Sequence, residues 1–154
     1  MLCREPAARV LGRAEPHGTL AGHHIIRNFL SEDEEAALLR ALDDGARRPR
    51  WVLRHVGNGP SFAMAWGVRV GLTERLVRPP EFAMPSFLDV CMARFGEASP
   101  ALLGTFSPVE ANALDYRRAQ GHYLGAHFDD RHLNGDVLCT LSLAGDCVMT
   151  FQRC

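Results

Sequence analysis

The chain has 154 residues, of which 47% are hydrophobic and 23% charged, with a net charge of -1; this composition suits one folded domain with a sizeable core and excludes a disordered polymer. No stretch approaches the roughly 18 consecutive apolar residues that span a bilayer, and the opening MLCREPAARVLGR has no continuous apolar segment for secretion, so the expected address is intracellular, cytoplasmic or nuclear, with no membrane partner. Five cysteines (Cys3, Cys91, Cys139, Cys147, Cys154) form no CxxC pair and are odd in number, which predicts reduced thiols in place of a disulfide framework or zinc knuckle.

Residues 1–22 mix Pro, Gly, Ala and charge without a sustained period and read as a flexible leader, with the folded domain expected over 23–154. HHIIRNF is β-rich and runs into SEDEEAALLRALDDG, where Ser31 is placed to cap a helix with Glu34 at its third position, acids fill the first turn, and Gly45 ends it. RWVLRHV at 50–56 predicts a short strand, GNGP at 57–60 a turn, and the alternation of Met64, Trp66, Val68 and Val70 a half-buried strand. PSFLDVCMARFGE then carries Phe87, Leu88, Cys91, Met92 and Phe95 at helical spacing. From Val109 the pattern returns to β: VEANALDY, GHYLGAHFD, DVLCTLSL and CVMTFQ are four expected strands, the last two joined by a tight turn at Ala144, Gly145 and Asp146. Helices followed by a run of strands predict an α+β fold.

Within the second of these strands His127 and Asp129 stand two apart. An extended backbone would direct both to one face, with Phe128 packing on the other. An imidazole and a carboxylate on one face are two thirds of the two-histidine, one-carboxylate triad that holds ferrous iron and leaves positions open for cosubstrate and oxygen. Seven histidines and nine aspartates yield roughly 0.4 such triplets by chance, so the pair gains its meaning from its surroundings, and a pair of unrelated surface residues is the competing reading.

Those surroundings are the LDY strand with Tyr116, a glycine-containing connection, HFDD at 127–130, and an apolar hairpin with a Gly-Asp turn. Together they resemble the metal-binding half of the AlkB family of iron and 2-oxoglutarate dioxygenases, and the run from Leu114 to Asp130 is most similar to the homologue-four branch. NFLSEDEEAALL and AWGVRV extend the resemblance upstream, so that it covers residues 24–152 and is specific between about 110 and 152. It implies a partial double-stranded β-helix, or jelly roll, with N-terminal supporting helices. By position, His127 and Asp129 correspond to iron ligands and Tyr116 to the tyrosine that hydrogen-bonds 2-oxoglutarate. Leu114 stands where the family usually has an asparagine, and Asn112 is the nearest alternative. Asp130 is expected to hydrogen-bond locally or shape the substrate mouth.

A jelly roll needs eight strands of about 5–6 residues plus turns, whereas 43 residues run from Asn112 to Cys154. The expectation is therefore a truncated form comprising the N-terminal and central part of the domain, without the family's distal iron histidine and 2-oxoglutarate arginine, and with CVMTF as an unpaired apolar edge. None of His17, His23, His24, His55, His122 or His132 is spaced to replace the third ligand. The implied function is oxidative removal of N-methyl groups by Fe(II) and 2-oxoglutarate, from methylated protein lysine or a methylated nucleobase. The alternative is a noncatalytic module that binds protein or nucleic acid through residues 47–78, where seven arginines are interleaved with Trp51, Phe62 and Trp66.

Overall fold

Two strands precede the first helix: β1 (Ala14–Pro16) lies antiparallel to β2 (His24–Ile26), with Glu15 opposite Ile25. The computed structural model describes residues 12–18, 20–56, 58–130, 132–133 and 135–152. Part of the expected leader is thus paired backbone, while residues 1–11 lie outside the described residues. A three-residue strand is too short to show a period, and the chain reverses through Gly18 and Gly22, whose φ of 64° and 80° suit a residue without Cβ. Asn28 at φ 54° then turns the backbone out of β2.

Helix α1 (Glu32–Asp43) forms where its capping signature predicts. Ser31 is extended at its N-terminus; its Oγ accepts from the Glu34 amide at 3.3 Å, and the Glu34 carboxylate accepts from the Ser31 amide at 2.8 Å. Two amides with no helical acceptor are satisfied reciprocally. Four acidic residues occupy the first turn, Arg40 the last, and Leu38 is buried. Asp44 leaves helical geometry ahead of Gly45, and Asp43 accepts the indole N–H of Trp51 at 3.0 Å, tying the helix end to the start of the sheet.

The principal sheet has β3 (Val52–Val56) and β7 (Glu110–Asp115) on either side of β4 (Gly59–Gly67), all antiparallel. Pro60, expected in the turn, sits in β4 opposite His55. The strand expected through Val70 breaks at Gly67, whose φ is 78° and where a Cβ would strike the carbonyl of Val109. Val68 follows outside any ladder, bonding to Val109 O at 2.9 Å, and a separate hairpin of β5 (Arg69–Gly71) and β6 (Leu76–Arg78) begins after it. Hydrophobic alternation does not register a glycine bend, so the two strands read as one.

After a 3-10 turn at Ser86–Leu88 come α2 (Asp89–Ala98) and the short α3 (Pro100–Leu103). The 3-10 turn meets one face of the sheet, where the Trp66 and Phe87 rings lie edge to face at 5.7 Å, and Phe95 of α2 contacts both Phe29 and Phe106. Leu38, Met64, Trp66, Cys91 and Leu103 form the centre of this layer, and burial pushes the Cys91 thiol up. Arg94 of α2 donates to the Phe29 carbonyl at 3.0 Å and grips both oxygens of Glu34. The helix cap is thereby also the joint between the two helices.

Mixed helix and antiparallel sheet agrees with the α+β expectation, but the three strands expected after β7 do not form ladders among the described residues. The described residues between 121 and 152 lie outside any helix or strand and are largely exposed, with Leu138 at 76% and Val148 at 93%. Alternation supplies a strand with one apolar face; a stable strand also needs a neighbour to take its backbone hydrogen bonds. The bend at Ala144 and Gly145 is present, with φ of 47° and 122°, and Glu35 accepts the Ala144 amide at 3.0 Å.

Arg94 and the Ser31 amide hold the Glu34 carboxyl at about 2, down from its ordinary 4.5. A depressed folded-state value contributes stability that is complete above about 4.5 and lost as pH falls toward about 2. Urea unfolding between pH 7 and 2.5 should show that loss. Glu34→Gln should cost about 1–3 kcal/mol at pH 7 and flatten the acid limb. Gly67→Ala should be destabilised by more than about 1 kcal/mol in the same assay, because strain at positive φ adds to the collision with Val109.

Candidate metal centre

Beyond β7 the chain doubles back. Arg117 donates its amide to His122 Nδ1 at 3.2 Å and accepts the His122 amide at 3.3 Å, around a 3-10 turn at Arg118–Gln120 that ends on Gly121 at φ 71°. Phe62 of β4 anchors this reversal, with the Arg117 guanidinium 4.4 Å from its ring centre and the His122 ring at 5.5 Å. The returning segment then crosses the β3–β4 turn, where the Gly125 amide donates to Asn58 O. Gly59 makes room for it: a Cβ there would meet both the carbonyl and the ring of Tyr123.

Two residues past this anchor, His127 donates from Nδ1 to the Gly125 carbonyl at 2.8 Å, in the tautomer with its hydrogen on Nδ1. That bond orients the ring and leaves Nε2 as the lone-pair nitrogen, the arrangement usual for metal-binding histidines. Nε2 lies 3.6 Å from Asp129 Oδ1, and the two side chains are 30% and 59% exposed. Donors each about 2.1 Å from one ion stand about 3–4 Å apart, depending on the angle between them, so this pair fits a shared divalent cation. The two side chains approach each other although the backbone around them is not in a ladder. Phe128 departs from expectation: it is 70% exposed and packs on no opposite face, since without a ladder there is no second layer beneath it.

Asp130 is occupied locally. It accepts the amides of His132 and Leu133 at 2.8 and 2.9 Å and faces Arg75 of the β5–β6 hairpin at 3.5 Å, contacts that hold its carboxyl below the usual range. Among the described residues no third His, Cys, Asp or Glu joins His127 and Asp129. The other histidines lie elsewhere: His122 under Phe62, His17 and His23 in edge-to-face contact at 5.5 Å, His24 against the Gly22 carbonyl, and His55 on β3.

Asn112 and Leu114 share one face of β7, and Tyr116 follows two residues on. Asn112 donates to Glu110 at 2.7 Å. Tyr116 is 37% exposed, and burial pushes its phenol up. Sequence reasoning missed Ser61 of β4, which is only 4% exposed and is the buried polar residue among the described ones. Its signal was faint, a serine in the alternating run PSFAMAW.

The arginine-rich stretch is largely spoken for. Arg47 pairs with Asp44, Arg48 bonds to backbone carbonyls, Arg69 pairs with Glu81 and Arg75 with Asp130, whereas Arg50, Arg54 and Arg78 are exposed without an acidic partner among the described residues. Trp66 is buried and Phe62 is covered by Arg117 and His122, so neither presents a face for base stacking. Trp51 is committed to Asp43.

No family model matches the chain. It is 32% identical over 133 residues to the human alpha-ketoglutarate-dependent dioxygenase alkB homolog 4, and 28% identical over 132 residues to the mouse protein of that name. A DNA N6-methyl adenine demethylase from Caenorhabditis elegans is 28% identical over 133 residues. These alignments take in 85–86% of the chain but only 41–43% of the relatives, so the chain spans about two fifths of their length. The shared stretch contains the capped helix, the central sheet and the convergent histidine and aspartate, and by this similarity the chain belongs to the AlkB family.

Proposed function

We propose that this chain carries the His127 and Asp129 ligands of an Fe(II) centre in a 2-oxoglutarate-dependent N-demethylase, with the sheet of β3, β4 and β7 as part of a jelly roll. The convergence of Nε2 and Oδ1 at 3.6 Å on a histidine oriented by Gly125 is the observation that carries this reading. Ferrous iron, with 2-oxoglutarate and oxygen, supplies an oxidant that hydroxylates an N-methyl carbon; the cosubstrate leaves as succinate and carbon dioxide, and the methyl group as formaldehyde.

The protein's part is orientation and the placing of protons. Gly125 fixes the His127 ring, and Asp129 contributes the negative charge that a divalent cation favours. Tyr116, its phenol pushed up by burial, stays protonated at neutral pH and can donate to a cosubstrate carboxylate. Asn112 gives one amide hydrogen to Glu110 and has a second that can be donated in the same way. For the substrate, the name of the nematode relative favours a methylated adenine in DNA, and the exposed Arg50 and Arg78 leave positive charge to meet phosphate. Methylated protein lysine is the second substrate class.

The full-length gene product, loaded anaerobically with Fe(II) and given 2-oxoglutarate and oxygen, should release succinate and formaldehyde in equal amounts from N6-methyladenine DNA. His127→Ala and Asp129→Ala should each reduce both products at least about hundredfold and abolish Mn(II) binding in a metal titration. Formaldehyde from a methyl-lysine peptide but not from the oligonucleotide would transfer the assignment to protein. Absence of succinate with either substrate would leave the noncatalytic binding module.

A further inference from the structure

The carboxylate of Asp130, next in the chain to Asp129, divides its oxygens between two tasks. Oδ1 accepts the amides of His132 and Leu133 at 2.8 and 2.9 Å and so pins the chain just past the candidate metal ligands. Oδ2 faces the Arg75 guanidinium at 3.5 Å. Arg75 sits in the turn of the β5–β6 hairpin, which is a sheet of its own and shares no ladder with β3, β4 and β7 among the described residues. Its φ is 53°, a left-handed conformation that an L side chain adopts at a cost, and Asp130 is its acidic partner among the described residues. The carboxylate of neighbouring Glu74 lies against Gly71 instead. The Asp130 side chain is 16% exposed and that of Arg75 54%, so the acid end of the pair is mostly covered.

These contacts form one connected path, from the hairpin turn through Arg75 and Asp130 to Asp129, whose Oδ1 lies 3.6 Å from His127 Nε2. We infer that Arg75 is a positioning residue for the metal pair, buttressing the ligand-bearing loop through Asp130 from the β5–β6 hairpin; this rests on the iron-centre reading above. At the other end of the loop the Gly125 amide is fixed to Asn58 O, so the two ligands stand between a backbone bond to the β3–β4 turn and an ion pair to the hairpin. Neither Arg75 nor Asp130 serves as a ligand: one is cationic, and the other has both oxygens engaged. An outer partner of this kind acts on metal affinity by holding a ligand in geometry. Because His127 is oriented separately by the Gly125 carbonyl, loss of the buttress releases the Asp129 side of the pair first.

The test is a calorimetric titration of Mn(II) into the metal-free full-length protein. Arg75→Gln and Asp130→Asn, the second of which keeps an Oδ1 acceptor for the two amides, should each weaken Mn(II) binding about threefold, the scale of one partly exposed ion pair. The double variant should lose no more than either alone, and Arg75→Lys should recover part of the loss. Raising salt from about 0.05 to about 0.5 M should shrink the difference between wild type and Arg75→Gln. Arg75→Gly relieves the backbone at φ 53° and should keep or raise the melting temperature while lowering Mn(II) affinity to the same extent. A fall in affinity that appears only with a fall in melting temperature overturns the buttress. So do losses that add in the double variant, and so does unchanged or tighter Mn(II) binding in a folded Arg75→Gln protein. A wild-type protein that binds no Mn(II) overturns the iron-centre reading and the buttress together.

Discussion

The carboxylate of Glu34 is the joint on which the helical layer depends. It takes hydrogen bonds from the Ser31 amide and hydroxyl at 2.8 and 2.9 Å and from both terminal nitrogens of Arg94. A partly exposed ion pair alone is worth little. This one is different because the same oxygens close the N-terminus of α1, and the same guanidinium satisfies the Phe29 carbonyl just before it. Position of α2 and cap of α1 therefore stand or fall together. With α2 in place, Phe87 meets Trp66 and one face of the central sheet is closed. The opposite face is left for Ser61, Leu114 and the residues around them.

This division of the sheet explains how the functional groups are distributed. Asn112 and Tyr116 lie on or just beyond β7, whose position is set by the ladder of β3, β4 and β7. The proposed iron ligands lie on irregular backbone that reaches the sheet through two close approaches, Tyr123 over Gly59 and Gly125 against Asn58. Both approaches depend on the small size of glycine, so bulk at either position would move the metal pair without touching it.

What could be read from the sequence was what local chemistry decides. Ser31 and Glu34 mark a helix start by hydrogen bonds made within four residues, and the spacing of Phe87, Cys91 and Phe95 marks a buried helical face. His127 and Asp129 could be singled out as a pair because they stand two apart in sequence, and their side chains approach to 3.6 Å on irregular backbone. Features set by distant partners were not. The break at Gly67 follows from Val109, forty-two positions away by number, and the strand β1 from His24–Ile26 across a turn. The alternation in residues 136–152 is real but has no ladder among the described residues, and Arg94, which ties α1 to α2, looked like one arginine among seventeen.

The irregular backbone around His127 has a thermodynamic consequence. No ladder restrains it among the described residues; a few contacts do, from Gly125 to Asn58, Tyr123 to Gly59 and Asp130 to Arg75, so a cation captured there must also suppress the conformational freedom of the loop that bears its ligands. Capture and ordering are then one linked equilibrium. Measured affinity would reflect how rigid the flanking chain already is as much as the donor atoms themselves, and anything that stiffens residues 123–130 would tighten the grip on metal without adding a ligand.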